Sequence, residues 1–147
     1  MRFELKTFEK LSVDELYDAL QLRSDVFVVE QTCAYPDLDD KDKLALHVLG
    51  YYENKLIAYA RLLAPGVSYK EAAIGRVVVN KNYRGKNAGR ELMKKAIEST
   101  LTEFKVKEIS ISAQKYLEKF YADLNFISEG EDYLEDDIPH VKMRLRT

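Results

Sequence analysis

Val77-Val78-Val79-Asn80-Lys81-Asn82-Tyr83-Arg84-Gly85-Lys86-Asn87-Ala88-Gly89 is the stretch on which the reading of this chain turns. Ile74 to Val79 predicts a strand that is apolar on both faces around its run of three valines and covered on both sides of a sheet. The turn after it leads into Leu92, Met93, Ala96, Ile97, Thr100 and Leu101, which fall at helical spacing. A helix start presents about four N–H groups without partners and a partial positive charge. Small residues there let a diphosphate approach those groups closely. Gly85 and Gly89 supply that access, and Asn87 is a residue type that tolerates left-handed backbone. Lys81, Arg84, Lys86, Arg90, Lys94 and Lys95 gather in the same stretch, with Glu91 the one acid among them. That is the footprint of a polyanionic ligand. The plainer alternative is a strand-to-helix turn with solubilising lysines. The turn is neither a Walker A loop, since no Gly-Lys-Ser/Thr occurs, nor a dinucleotide fingerprint, since G-x-G-x-x-G is absent.

Working outward, Phe3, Leu5 and Thr7 alternate as a first strand. Ser12 with Glu15 reads as a capping box that opens a helix bearing Leu16, Leu20, Leu22, Val26 and Phe27. Pro36 and its neighbouring aspartates mark a loop from Gln31 to Asp42. Leu46 to Tyr52 and Leu56 to Leu63 read as a hairpin about Glu53-Asn54. Beyond the central helix, Ile109 and Ile111 predict a strand. Tyr116, Leu117, Phe120, Tyr121 and Leu124 predict a helix, and two strands follow near Phe126 to Tyr133 and Val141 to Leu145. The order β-α-β-β-β-α-β-α-β-β predicts one α/β (α+β) domain over residues 1–147, a mixed sheet with helices on both faces.

Composition narrows the class. The 147 residues suit one domain, and 46% hydrophobic with 33% charged residues is ordinary for a globular protein. The lone Cys33 excludes an internal disulfide framework and suits a reducing compartment. No apolar run approaches the roughly 20 residues of a membrane span, and MRFELKTFEK carries no signal-like stretch. The expectation is a cytoplasmic protein, monomer or homodimer, without a membrane partner. The net charge of −2 gives no global sign of nucleic-acid binding.

Arg84 to Gly89 resembles the pyrophosphate-binding signature of the GNAT superfamily of N-acetyltransferases, Gln/Arg-x-x-Gly-x-Gly/Ala, with Asn87 in place of the usual Gly. Gln114 stands where the family commonly has an Asn that touches coenzyme A. Phe120-Tyr121-Ala122-Asp123-Leu124-Asn125-Phe126 is similar to the family's Tyr-x-x-Leu-Gly-Phe element, with Asn125 replacing the Gly. Arg23 to Gln31, Asp37 to Asp40, His47, Ala58 to Arg61, Gly75 to Val79 and Ile138-Pro139-His140 together look like the ElaA-type branch. The resemblance implies a mostly antiparallel sheet of about seven strands. It also implies acetyl-CoA bound along Val77, Val78, Val79, Arg84, Gly85, Lys86, Asn87, Ala88, Gly89, Gln114 and Tyr121, and direct acetyl transfer to a primary amine. The rival expectation is a domain that senses acyl-CoA without turning it over.

Direct attack needs a neutral amine, an oxyanion donor and a proton for the leaving sulfur. Tyr121 is the candidate acid, since a phenol keeps its proton at neutral pH. The backbone N–H groups of Val78 or Val79 are the candidate oxyanion donors. Glu30, His47 and His140 are the candidate bases, and Glu30 suits its helix end poorly, which suggests another role. Arg23, Arg61 and Arg76 are candidate partners for Glu30. Cys33 has no histidine placed beside it by any motif, and the Asp37 to Asp42 cluster lacks the calcium-loop pattern, so no metal is expected. Those aspartates and the acids from Glu129 to Asp137 are expected to be solvated or, if they line the acceptor mouth, to favour a cationic amine.

Overall fold

A computed structural model describes residues 1–147. The strands are β1 (Arg2–Thr7), β2 (Leu46–Tyr52), β3 (Lys55–Leu63), β4 (Ala72–Val79), β5 (Glu108–Gln114), β6 (Ile127–Glu135) and β7 (Ile138–Arg146). They form one sheet in the order β1-β2-β3-β4-β5-β7-β6, antiparallel at every junction except β4–β5. The helices are α1 (Val13–Arg23), α2 (Ala88–Glu103) and α3 (Glu118–Ala122). The expected element order and the mostly antiparallel seven-stranded sheet are both present.

Alternation along the strands sends successive side chains to opposite faces. Val48, Ala58, Ala60, Leu62 and Ile74 face α2 and α3, packing on Leu92, Met93, Ala96, Tyr121 and Leu124. Leu49, Tyr59 and Val78 face the other way, onto Ala19, Leu22 and Val26. The helices thus cover both faces. The capping box forms in full, with the Glu15 N–H donating to Ser12 Oγ at 3.0 Å and the Ser12 N–H donating to Glu15 Oε1 at 2.8 Å.

Two departures from the sequence reading bear on the site. The first helix does not run on as α-helix past Arg23: Ser24–Glu30 is a π-helix. Its bonds skip one residue further, as in Gln31 N–H to Val26 O at 3.0 Å and Cys33 N–H to Val28 O at 3.1 Å. Three valines and a phenylalanine crowd this turn, and such segments recur at functional sites. The buried stripe is Ala19, Leu22, Arg23 and Val26, with Leu16 and Leu20 only half-buried. The expected helix from Tyr116 to Leu124 is broken too: Lys115–Leu117 is 3-10 and leaves Tyr116 exposed, and α-helix begins only at Glu118.

The sheet opens in its middle. β4 and β5 pair only at Ala72–Ile109 and Ala73–Ser110, then diverge. The cause lies in β4. Tyr59 pairs with Val78 and Arg61 with Gly75, so two steps on β3 face three on β4. The extra residue is a bulge near Arg76, which takes left-handed backbone at φ +49. A bulge bends its strand and sharpens its twist. From Ile74 onward β4 has no neighbour on that side.

Candidate active site

The opening between β4 and β5 is a cleft of about 970 Å³, within the usual size of small-molecule sites. Ile74 to Val79 form one wall, and Ile111, Ser112 and Gln114 the other. Val26, Phe27 and Glu30 of the π-helix and Gln31 just after it line it on one face of the sheet, and Leu117, Phe120 and Tyr121 on the opposite face. At one end lies the turn of Arg84, Gly85, Asn87, Ala88 and Gly89.

That turn is built for close approach. Gly85 has φ +80 and Asn87 φ +62, both left-handed. The first intrahelical bond of α2 runs from the Glu91 N–H to Asn87 O at 2.9 Å. The N–H groups of Ala88, Gly89 and Arg90 therefore have no acceptor inside the helix. A Cβ on Gly89 would meet only the Phe120 ring, at 3.6 Å, so packing alone does not demand glycine there. Asn125, in place of glycine after α3, holds φ +76. Both asparagines thus take the backbone that glycine would supply.

β4 aims its backbone into the cleft. The Asn80 N–H donates to Ile57 O at 2.7 Å, so ladder alternation turns the Val78 N–H toward β3 and the Val79 N–H toward the cleft. Of the two candidate oxyanion donors, Val79 has the suitable direction. Across the cleft, Tyr121 is buried, with its ring edge-on to Phe120 at 5.1 Å and to Phe126 at 6.0 Å. No protein group hydrogen-bonds its hydroxyl, and burial holds its proton well above the ordinary tyrosine range.

The three candidate bases meet different fates. His140 lines the cleft from β7 and is only 6% exposed. Its Nδ1–H donates to Ile138 O at 2.7 Å, which leaves the Nε2 lone pair free in the neutral ring. Nε2 lies 3.5 Å from Glu135 Oε2, and the ring stacks on Tyr133. Glu30 also lines the cleft but is taken by Arg84, whose two terminal nitrogens donate to it at 2.6 and 3.1 Å. The Arg84 bonds hold its carboxyl below the usual range, which weakens it as a base. The same pair accounts for a glutamate at a helix C-terminus. His47 is not brought to the cleft. It is buried on β2, its Nε2–H donating to Asp42 O at 2.9 Å and its Nδ1 accepting from the Tyr59 hydroxyl at 2.6 Å. Burial lowers its pKa and keeps it neutral.

Arg23, Arg61 and Arg76 do not pair with Glu30. Arg23 bonds Asp37 at 2.9 Å and Asp42 at 2.8 Å; Arg61 bonds Asp39 at 2.7 Å and Asp42 at 3.1 Å. Arg76 reaches Asp37 at 2.9 Å and Asp39 at 3.4 Å. Three arginines and three aspartates neutralise one another and staple the 31–42 loop over β3 and β4. Asp37, Asp39 and Asp42 are therefore neither solvated nor an acidic lure. Cys33 lines the cleft and donates to Asp136 O at 3.4 Å. Lys86 is exposed on the turn outside the cleft lining.

Gln114 lines the cleft as expected, but its amide is engaged with Gln31, 3.1 Å in one direction and 3.3 Å in the other. Sequence reasoning gave no role of their own to Gln31, Ser112, Tyr35 and Glu135. Only the last carried a signal, as a carboxylate just before a two-residue turn of Asp136 and Asp137.

Residues 14–147 match the family described as "Acetyltransferase (GNAT) domain". The chain is 42% identical to Protein ElaA of Escherichia coli over 136 residues, covering 91% of this chain and 89% of the relative. It is 44% identical to a UPF0039 protein of Schizosaccharomyces pombe over 147 residues, covering 99% and 97%. The crystal structure of an acyl-CoA N-acyltransferase from Pseudomonas aeruginosa superposes with a TM-score of 0.92 at 37% identity, covering 99% of each chain.

Proposed function

The chain belongs to the GNAT acetyltransferase family, and on that premise we propose that it transfers an acetyl group from acetyl-CoA to a cationic primary amine by direct attack. The observation that carries this reading is the opening of β4 from β5, which ends on the open N-terminus of α2. The residues present fit such a co-substrate. The free N–H groups of Ala88, Gly89 and Arg90 suit a diphosphate, with Arg84 beside them. The unpaired edge of β4 suits an amide-bearing arm laid along it as an extra strand would lie.

Acetyl-CoA supplies its acyl group as a thioester. The amine's lone pair attacks the carbonyl carbon, the C–N bond forms and the C–S bond breaks. Each residue of the cleft then has a defined task. The Val79 N–H, turned into the cleft, would donate to the carbonyl oxygen as it gains charge. Tyr121, protonated and unengaged, gives the thiolate its proton, and the second proton that the nitrogen sheds as the amide forms passes through solvent to restore the phenol. His140 takes the proton that the ammonium must lose before attack, on Nε2, with Nδ1 fixed by the Ile138 carbonyl. Glu30 holds Arg84 in place at the phosphate turn.

The test is thiol release from acetyl-CoA against a panel of amines, with the product weighed by mass spectrometry. Release that depends on the amine, with a product heavier by one acetyl group, supports the reading. Tight acetyl-CoA binding with no release across the panel overturns it.

A further inference from the structure

We propose that Glu135, at the end of β6, is the docking carboxylate for the ammonium of the acceptor. The inference rests on the amine-transfer reading above and gives its acceptor a place.

Four carboxylates line the cleft: Glu30, Asp39, Glu135 and Asp136. Glu30 is neutralised by Arg84, and Asp39 by Arg61 and Arg76. Glu135 and Asp136 have no lysine or arginine within salt-bridge distance. Bringing a cation to a paired carboxylate means displacing its arginine, whereas Glu135 has no cationic side chain to displace. Its orientation is nonetheless set. One oxygen accepts from Ser112 Oγ at 3.3 Å, and the other lies 3.5 Å from His140 Nε2. Ser112 is in turn hydrogen-bonded to the Tyr133 hydroxyl, and Tyr133 stacks under His140.

His140 is the independent sign that a ligand belongs here. Its side chain is 7% exposed, it lines the cleft, and Nε2 has no hydrogen-bond donor or acceptor geometry with any protein group. The Nδ1 bond to Ile138 holds the ring and leaves Nε2 as its one uncommitted position. An ammonium seated on Glu135 has a proton to offer that lone pair. Tyr69 completes the wall with an aromatic face, although Lys142 Nζ already sits 4.9 Å from its centroid. The charge recognition therefore rests on Glu135, with Asp136 adding field at the mouth.

The class of acceptor follows. On its other side the cleft is bounded by the neutralised Arg–Asp staple and by Lys41, whose Nζ donates to Ser68 Oγ at 2.7 Å, so the carboxylates without a cation are confined to the Glu135 side. A primary alkylamine with one charged end fits. The probes are hexylamine and its neutral counterpart hexanol, titrated calorimetrically into the whole protein with and without coenzyme A. Wild type should bind hexylamine and not hexanol. Glu135→Gln should weaken hexylamine about tenfold or more, about 1.4 kcal/mol, with Asp136→Asn weaker in effect and coenzyme A affinity unchanged in both. Near-ultraviolet circular dichroism and the thermal midpoint establish that the variants are folded. Equal binding of hexylamine to wild type and Glu135→Gln, a larger effect from Asp136→Asn, or no hexylamine binding to wild type would overturn the proposal. Binding is read here without turnover, so an inactive protein that still binds the amine at Glu135 sinks the transferase reading and leaves this site standing.

Discussion

Tyr121 has two uses open to it, core packing and proton donation, and its surroundings separate them. Its ring is packed on Phe120 and Phe126, while its hydroxyl has no partner in the protein. Removing the oxygen therefore leaves the packing intact. Tyr121→Phe is expected to keep the thermal midpoint and acetyl-CoA affinity and to lower kcat by about 10²–10⁴-fold. Steady-state thiol release beside a melting curve measures both, and wild-type turnover removes Tyr121 from the chemistry. The residue scale is also where the sequence was most legible. Asn87 and Asn125 break the family's glycine pattern, yet asparagine's tolerance of left-handed backbone is a local property, and both take it. His47 shows the limit. Nothing local says that a histidine in a strand will meet Asp42 and Tyr59 from elsewhere in the chain and be spent on them.

Among the elements, the 31–42 loop is held by charge rather than by apolar packing. Arg23 is 1% exposed and depends on Asp37 and Asp42. Breaking a buried pair strands the remaining charge, which costs about 3–5 kcal/mol. Asp42→Ala strands part of both Arg23 and Arg61 and is expected to lose that much in urea denaturation, whereas Asp40→Asn, at an exposed neighbour whose left-handed backbone (φ +65) asparagine tolerates, should lose almost nothing. Equal losses would show that the staple does not hold the loop. The alternation of strands and the capping box were readable because they are local. The π-helix and the bulge at Arg76 were not, since each inserts one residue into a regular ladder and leaves no periodic trace. Yet those two irregularities shape the cleft: the bulge separates β4 from β5, and the π-helix sets Glu30 and Gln31 along it.

At the scale of the whole molecule, charge is arranged in pairs, and stability should follow pH accordingly. Burial alone would raise the carboxyls of Asp42 and Asp39, but Arg23 and Arg61 outweigh it and hold both below the usual range. A depressed carboxyl stabilises above its unfolded pKa, about 3.9, and that stability is lost as pH falls through the folded value. His47 acts in the same sense. Its folded pKa is lowered by burial, so below about 6.5 the unfolded chain takes up a proton that the folded one refuses. The urea midpoint should decline gently as pH drops below about 6.5 and steeply below about 4. A midpoint that rises between pH 7 and pH 5 would contradict these assignments. The expected acidic mouth survives only in part, because whole-molecule pairing consumed one of its two acidic stretches and left Glu135 and Asp136.

The central claim is that acetyl-CoA lies in the opening between β4 and β5 with its diphosphate on the turn from Arg84 to Gly89. Isothermal titration of acetyl-CoA into wild type and Gly89→Glu tests it most directly. A Cβ at Gly89 meets only Phe120 at an ordinary contact distance, so the variant should fold. The added carboxylate would stand against the diphosphate at the helix N-terminus. The expected result is wild-type binding that weakens as salt is raised from about 0.01 M to about 0.1 M, and no measurable binding to a folded Gly89→Glu. Undiminished affinity in that variant would put the co-substrate elsewhere.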